Sequence, residues 1–300
     1  MHKSVLLGEV IDSLNIKKNG KYLDCTLGYA GHSSEILKRL ENEGFLFAFD
    51  QDEDAIEYSQ KRLSAISNNF KIFKTNFKDI EKYINEKLDG IIYDLGVSSP
   101  QLDNKDRGFS FHEDAPLDMR MDKSALLSAK QVVNEYEEKK LAKIFYEYGE
   151  EKYSKNIAKN IVENRPIETT LELVEIIKNS VPEKYKRETH PARKVFQAIR
   201  IEVNNELGIL ESSIKKAFEL LKPGGRICVI TFHSLEDRII KKVFNELSKD
   251  SDLAKNLPYV PEEMKRKGIS ITKKPIVPSE KELKENNRSR SAKLRVIEKV

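Results

Sequence analysis

The sequence predicts an α/β fold in which a mainly parallel sheet is covered by helices on both faces and carries an inserted all-helical subdomain. Strand and helix patterns alternate through the first hundred residues. Strand patterns then stop over 118–207, where helical periodicity takes over, and one returns at 226–231 after Lys222-Pro223-Gly224-Gly225. We therefore predict one discontinuous domain, 1–117 with 208–300, and an inserted helical domain, 118–207, that recognises substrate.

The alternating elements of the discontinuous domain follow from the period of their apolar residues. The predicted strands are 22–26, 45–49, 70–74 and 90–93, and the predicted helices are 33–43 and 54–64. Near the end of the chain, 269–273 and 293–298 are expected to form antiparallel edge strands. The polar stretch 275–287 between them is expected to be a solvated loop.

Helix boundary signals mark the insertion. Ser128-x-x-Gln131 and Thr169-x-x-Glu172 have the spacing of capping boxes, in which each side chain bonds the other residue's backbone N–H. Gly149 has the position of a helix stop. These signals predict several separate helices rather than one long one.

Composition limits the class of protein. The 300 residues are 39% hydrophobic and 34% charged, with a formal net charge of +4, so the chain can fill a core and tolerate a polyanion. Cys25 and Cys228 each lie in a predicted strand, as buried thiols of a reducing compartment do. Because no stretch approaches the about 18 apolar residues of a membrane span, we expect a cytoplasmic protein without a membrane partner.

A turn between the first strand and the next helix carries small residues, Asp24-Cys25-Thr26-Leu27-Gly28-Tyr29-Ala30-Gly31-His32. Small residues there let a ligand approach the backbone, and the helix start offers unpaired N–H groups. The second strand ends in Asp50, roughly 20 residues further on, where a carboxylate can accept ribose hydroxyls of an adenosine cofactor. A tight structural turn and a solvated loop aspartate are the alternatives.

The fourth strand ends in Asp94 and continues as Leu95-Gly96-Val97-Ser98-Ser99-Pro100-Gln101-Leu102-Asp103. In an open parallel sheet the carboxyl ends of the strands face the ligand crevice. We expect this segment to form the floor of an active site, with an ordinary Ser or Asx turn as the alternative.

Long motifs along nearly the whole chain resemble the MraW (RsmH) family of ribosomal RNA small subunit methyltransferases H. They are Asp24-x-Thr26-x-Gly28-x-x-Gly31-His32, the Asp94–Asp103 segment, Arg107-Gly108-Phe109-Ser110-Phe111, Leu117-Asp118-Met119-Arg120-Met121, His190-Pro191-Ala192, Phe196-Gln197-Ala198-Ile199-Arg200-Ile201, Val203-Asn204-x-Glu206-Leu207, Phe232-His233-Ser234-Leu235-Glu236-Asp237-Arg238, Arg288-x-Arg290-Ser291-Ala292-Lys293-Leu294-Arg295 and His2-x-x-Val5-Leu6-Leu7.

The resemblance implies a class I, Rossmann-like S-adenosylmethionine (SAM)-dependent enzyme that methylates N4 of one cytosine in 16S rRNA of the small ribosomal subunit. The cofactor positions that it implies are Ala30, Gly31, His32, Asp50, Phe77, Asp94 and Gln101. The family commonly has glycine where this chain has Ala30. The added methyl group would tighten the methionine pocket or disfavour a positive φ.

Cytosine N4 is conjugated with its ring and is a poor nucleophile, so catalysis must orient its lone pair. We assign Ser98, Ser99 and Asp103 to catalysis, since the two hydroxyls, with carbonyls near Leu95 and Gly96, can accept amine hydrogens. Other amino-methyltransferases place an aromatic residue after a similar turn. This chain has none there, so the stacking partner must lie elsewhere.

Candidates for RNA contact are aromatic and cationic side chains. Phe109, Phe111 and His233 are candidates to pack against an unstacked base, although core packing explains the phenylalanines equally well. A set of cations can hold phosphates or pair with acids: Arg107, Arg120, Arg193, Lys194, Arg200 and Arg238, with Arg288 and Arg290 near the C-terminus. Asp103, Asp118, Glu206 and Asp237 are expected to orient these cations, and no metal site is predicted.

Two other functions compete with this hypothesis. An RNA-binding ribosome assembly factor with a vestigial cofactor pocket would keep the turn but would not need the serine-lined floor. A nicotinamide-dependent oxidoreductase would explain the turn and Asp50 but not the C-terminal cations. The helical insertion would serve either RNA recognition or a homodimer contact.

Overall fold

The structure, a computed structural model, describes residues 4–251, 259 and 261–300. Its internal contacts group into two units, 1–96 with 207–300, and 97–206. His2 of the N-terminal motif lies outside the described residues.

One sheet organises the discontinuous unit. Its strands are β1 (Lys21–Asp24), β2 (Phe45–Asp50), β3 (Phe70–Lys74), β4 (Leu88–Asp94), β5 (Leu221–Thr231), β6 (Gly268–Ser270) and β7 (Lys293–Lys299). Their order is β3-β2-β1-β4-β5-β7-β6. The pairs among β1 to β5 are parallel, and β7 runs antiparallel to both β5 and β6. The predicted mainly parallel α/β sheet is confirmed.

Fourteen α-helices lie in the described part of the chain. They are α1 (Leu7–Leu14), α2 (Gly31–Arg39), α3 (Glu53–Ser64), α4 (Ile80–Tyr83), α5 (Ser99–Asp103), α6 (Ala129–Glu135), α7 (Glu138–Glu147), α8 (Ser154–Glu163), α9 (Thr170–Asn179), α10 (Glu183–Glu188), α11 (Ala192–Asn204), α12 (Leu210–Leu220), α13 (Ser234–Leu247) and α14 (Glu280–Glu285). Short 3₁₀ turns cover Phe77–Asp79, Lys105–Arg107, Glu262–Met264 and Asn287–Ser291.

The central strands bury side chains on both faces. In β4, Ile92 packs with α1 and α2, whereas Ile91 and Tyr93 pack with α12 and α13 on the other face. Cys228 and Cys25 likewise belong to opposite apolar clusters, and both thiols are buried as predicted. This two-sided burial explains why the strands have continuous apolar runs instead of alternating ones.

The helical unit has its own core, to which α6 to α11 contribute. Both predicted capping boxes are present, Ser128 with Gln131 at α6 and Thr169 with Glu172 at α9. Gly149 follows α7 as predicted, but the left-handed residue is Glu150, with φ 48°. A Cβ on Gly149 would lie 2.7 Å from the carbonyl oxygens of Phe145 and Lys194, so close backbone approach explains this glycine.

Three features of the fold differ from the sequence predictions. The helical unit begins at Val97 rather than at residue 118, because Phe109 and Leu117 pack in its core. Of the two strands expected at an edge, β6 lies at one edge of the sheet, whereas β7 is internal, between β5 and β6. The stretch 275–287 contains α14, which Ser279 caps by accepting from the N–H of Glu282 at 3.2 Å.

None of the described helices combines the length and apolarity needed to cross a membrane.

Gly108 and Gly224 make a matched pair for a test of steric fit. Both have positive φ, 67° and 75°, but a Cβ on Gly108 would lie 2.4 Å from the carbonyl oxygen of Pro116, whereas no atom lies within 4 Å of one on Gly224. We expect Gly224→Ala to lower the free energy of unfolding by about 1 kcal/mol and Gly108→Ala by about 2 to 4 kcal/mol, because only the second adds a clash to the left-handed strain. Urea denaturation measures both, and equal losses would contradict the packing around Gly108.

Candidate active site

Three carboxylates lie at the carboxyl ends of adjacent parallel strands. Asp24 ends β1, Asp50 ends β2 and Asp94 ends β4. In open α/β sheets this edge is where ligands bind. The fold thus brings together acidic groups that are separated by 26 and 44 residues in the chain.

Asp24 and Asp50 are held by hydrogen bonds from the turn and helix starts around them. Asp24 accepts from the hydroxyl of Ser33 at 2.7 Å and from the N–H of Thr26 at 3.0 Å. Asp50 accepts from the N–H of Gly28 at 2.7 Å and from the N–H of Asp52 at 2.8 Å. Burial outweighs these bonds and raises the pKa of each carboxyl to about 6.

Of the three carboxylates, that of Asp94 is the least stabilised by hydrogen bonds. Its backbone N–H donates to the hydroxyl of Thr26 at 2.6 Å, but its buried Oδ1 has no hydrogen-bond partner among the described residues. Burial, followed by the charges of Asp24 and Glu236, raises the pKa of Asp94 to about 8. Such a carboxylate is stabilised when a cationic ligand arrives.

His32 adjoins Asp94 as a neutral ring. Its Nε2 lies 3.0 Å from the carbonyl oxygen of Val5, and its Nδ1 lies 3.6 Å from Oδ2 of Asp94. Burial lowers the pKa of His32 to about 4, which the hydrogen bond to Val5 only partly offsets. The imidazole ring beside Asp94 is therefore neutral at neutral pH.

The glycine turn shapes the backbone of this pocket. Gly28 has φ 49° and Ala30 has φ 57°, so Ala30 adopts the left-handed conformation despite its methyl group. That conformation costs an alanine roughly 1 kcal/mol more than a glycine. The side chain of Ala30 is fully buried.

Two further predicted cofactor residues lie on short helical elements, Phe77 on a 3₁₀ turn and Gln101 on α5. Phe77 is half-buried, its ring centroid is 5.5 Å from that of Tyr93, and its carbonyl accepts from the hydroxyl of Ser213 at 3.0 Å. Gln101 is buried, and its Oε1 accepts from the N–H of Ser98 at 2.9 Å. Phe77 thus belongs to the unit of Asp94, and Gln101 to the helical unit. Their roles toward a cofactor stay predictions.

The two serines of the predicted floor differ in their bonding. Ser98 caps α5, its hydroxyl accepting from the N–H of Gln101 at 3.4 Å. Ser99 is half-buried, and its hydroxyl makes no hydrogen bond within the described part of the chain. Asp103 is exposed at the end of α5. Ser99 is therefore the better placed acceptor for a substrate.

Arginines of the helical unit have protein partners. Arg107 is buried and donates to the carbonyls of Arg120 and Met121 at 2.9 and 3.1 Å. Arg120 forms a bidentate pair with Asp118, and Arg200 forms one with Glu206. Of the predicted acids, Asp118 and Glu206 do orient cations, and RNA contact by Arg107 or Arg120 stays a prediction.

The aromatic candidates occupy different environments. Phe109 is buried in the helical core. Phe111 is half-buried, and its ring stacks on that of His190 at 4.7 Å. His233 caps α13, its Nδ1 accepting from the N–H of Glu236 at 3.4 Å.

Four other candidate cations, including Arg238, are exposed, whereas Lys194 is half-buried and donates to the carbonyl oxygen of Glu150 at 2.8 Å. Arg193 lies in the first turn of α11, and Arg288 and Arg290 lie in the 3₁₀ turn before β7. Asp237 pairs instead with Arg295, at 2.7 Å.

The site also contains groups that we did not assign from the sequence. Like Asp50 and Asp94, Asp24 is a carboxylate at the end of a strand, and this position was sufficient to identify it from the sequence. Glu236 is buried, and its Oε2 accepts from the N–H of Phe232 at 2.8 Å. Its proximity to Asp94 depends on the pairing of β4 with β5, which local sequence does not reveal. No group of three or more possible metal ligands occurs among the described residues.

A mainly parallel sheet with acidic groups at the carboxyl ends of its strands is typical of α/β proteins that bind a nucleotide-like cofactor. The MraW methylase family matches over residues 1–300, so the chain belongs to that family and is a class I, SAM-dependent methyltransferase. A sulfonium cofactor fits the site, because the unpartnered Oδ1 of Asp94 and its acidic neighbours suit a cationic ligand.

Three solved structures are similar to this chain. One is a proposed rRNA methylase from Clostridium thermocellum, with 14% identity, coverage of 100% of each chain and a TM-score of 0.48. Another is an rRNA methylase from Streptococcus thermophilus, with 12% identity, coverage of 100% of this chain and 99% of that one, and a TM-score of 0.44. The third, a proposed methyltransferase from Streptococcus mutans in complex with SAH, has 15% identity, coverage of 100% of each chain and a TM-score of 0.44.

Asp94→Asn should stabilise the cofactor-free protein, and increasingly so as pH rises. The raised pKa means that the folded state binds more protons than the unfolded state between about pH 4 and pH 8, so the wild type loses stability over that interval, whereas asparagine does not titrate. We expect a gain of roughly 1 to 3 kcal/mol at pH 8 and little difference near pH 4. Denaturant titrations at both pH values measure it.

The exposed carboxylate of Asp12 on α1 provides the control, as Asp12→Asn. A pH-independent difference between wild type and Asp94→Asn would contradict the raised pKa of Asp94.

Proposed function

We propose that this protein transfers a methyl group from SAM to N4 of a cytosine in 16S rRNA of the small ribosomal subunit. The observation that carries the proposal is the match to the methylase family over the whole chain, together with the serine-lined segment that follows Asp94. An assembly factor with a vestigial pocket would have no need of that segment.

The chain's own groups suit a cationic cofactor. Asp94 would hold its charged part, because an ionised Asp94 is costly until a cation is present. Each oxygen of Asp50 accepts one backbone N–H, so lone pairs remain for ribose hydroxyls. The bound cofactor supplies an electrophilic methyl carbon on its sulfonium.

Hydrogen-bond acceptors suit catalysis at an amine nucleophile better than a strong base would. The lone pair of cytosine N4 is delocalised, so its hydrogens must be oriented before methyl transfer. The Ser99 hydroxyl has no competing partner in the described chain and would accept one of them. We propose that Ser98 supports this arrangement by capping α5. We also propose that Asp103 contributes to catalysis from the exposed end of that helix.

Exposed cations suit an RNA substrate. Arg193, Arg288 and Arg290 have exposed side chains, as phosphate contacts require. We propose that the helical unit contributes to substrate recognition, since it has an independent core and presents Phe111 stacked on His190.

Labelled SAM and small ribosomal subunits that lack the modification test this proposal. We expect label in 16S rRNA, recovered after nuclease digestion as N4-methylcytidine, which chromatography separates from 5-methylcytidine and 2′-O-methylcytidine. Free 16S rRNA in a parallel reaction shows whether the assembled particle is needed. RNA binding without any label would favour the assembly factor, and label on another atom would refute the N4 assignment.

Ser99→Ala should lower activity, whereas Ser98→Ala should lower stability. We expect Ser99→Ala to lower kcat/KM for RNA about tenfold with unchanged stability, because one hydrogen bond to the reacting amine is lost. Ser98→Ala should lower stability by about 1 kcal/mol, because α5 loses its cap. Kinetics and urea denaturation on both variants measure this, and full activity of Ser99→Ala would remove that hydroxyl from the mechanism.

A further inference from the structure

Residues 4–6, the N-terminal segment, lie directly on the glycine turn of the cofactor pocket. The carbonyl oxygen of Val5 lies 3.0 Å from Nε2 of His32. A Cβ built on Gly31 would fall 1.7 Å from the hydroxyl oxygen of Ser4. Glycine at position 31 therefore makes room for the N-terminal segment.

Glu282, near the other end of the chain, holds this segment in place. Its Oε1 accepts from the N–H of Leu6 at 2.8 Å, across 276 residues of sequence, and its side chain is 9% exposed. A carboxylate acceptor makes this a strong hydrogen bond, and a buried N–H without a partner would be unfavourable. Leu6 also has φ 51°, a conformation that leucine seldom adopts, so its orientation needs such a contact.

The segment determines which nitrogen of His32 carries the proton. A carbonyl oxygen only accepts, so Nε2 of the neutral ring must be the donor to Val5. The lone pair then lies on Nδ1, which is 3.6 Å from Oδ2 of Asp94. An N–H at Nδ1 would place a partial positive charge 3.6 Å from Oδ2 of Asp94 and compete with a cationic ligand, whereas a lone pair does not.

We propose that Glu282 is a positioning residue of the cofactor pocket, acting through the N-terminal segment to fix the tautomer and orientation of His32 beside Asp94. The proposal rests on the assignment of His32 and Asp94 to that pocket. The charged groups that face Asp94 from the surrounding elements are Asp24 on β1 and Glu236 on α13, and both are acidic. His32 is therefore the neighbour whose proton position decides whether Asp94 remains available to the cofactor.

Replacement of Glu282 by residues of similar length tests the proposal in the full chain. Glu282→Met fills the same volume without an acceptor, whereas Glu282→Gln keeps an acceptor oxygen. We expect the methionine variant to bind SAM about tenfold more weakly by titration calorimetry and to raise the KM for SAM, with kcat at saturating SAM within about twofold of wild type. The glutamine variant should recover most of the affinity.

The control is Glu280→Met, which changes an exposed glutamate of the same helix. ¹⁵N NMR of histidine-labelled protein reports the tautomer directly: we expect the Nε2–H form of His32 in wild type and its loss in Glu282→Met. Equal SAM affinities of Glu282→Met and Glu280→Met, or an Nδ1–H form in wild type, would overturn the proposal. The wild-type spectrum decides even where the methionine variant fails to fold.

Binding by Asp94→Asn separates this inference from the proposed function. Weak SAM binding by Asp94→Asn, together with normal binding by Glu282→Met, would overturn the role of Glu282 alone. Wild-type affinity in Asp94→Asn would overturn the pocket assignment and this inference with it.

Discussion

The uncompensated carboxylate of Asp94 is the constraint on which the rest of the site depends. Parallel pairing places Asp94 near Asp24 at the same sheet edge, where Asp24 is buried and the Oδ1 atom of Asp94 is shielded from water. Two such acids without a cation would normally be avoided. Here the turn supplies Asp24 with hydrogen bonds from Ser33 and Thr26, while Asp94 is left for a ligand. In the function that we propose, the positive charge of the cofactor would be the partner that Asp94 lacks.

Two-sided burial of the sheet is what makes this arrangement rigid. Ile92 and Cys228 pack on one face, and Tyr93 and Val229 pack on the other, so a shift of β4 or β5 by one residue would move each side chain to the opposite core. The register fixes where β4 ends, and hence where Asp94 lies. The position of Asp94 therefore depends on the packing of the apolar residues that precede it in β4.

Much of this molecule could be predicted from local sequence, because periodicity and strand ends are local signals. The strands that end in Asp50 and Asp94 are examples, as are both capping boxes. Contacts between distant segments could not be predicted. The hydrogen bond from Leu6 to Glu282 spans 276 residues, and α14 was expected to be loop because its six residues have no apolar period. Gly149 shows a subtler limit: a glycine marked the helix end, but close packing rather than positive φ requires it.

The same physics links stability to function in this protein. A charged group that destabilises the cofactor-free protein strengthens the binding of a cation by the same free energy, because binding removes the destabilisation. In the arrangement that we propose, Val5 holds the proton of His32 on Nε2, so His32 does not donate to Asp94 in the free protein. With the proton on Nδ1 instead, the free protein would be more stable and a cationic cofactor would gain less from Asp94. A neutral His32 whose proton faces Val5 would therefore leave the carboxylate of Asp94 available to the cofactor.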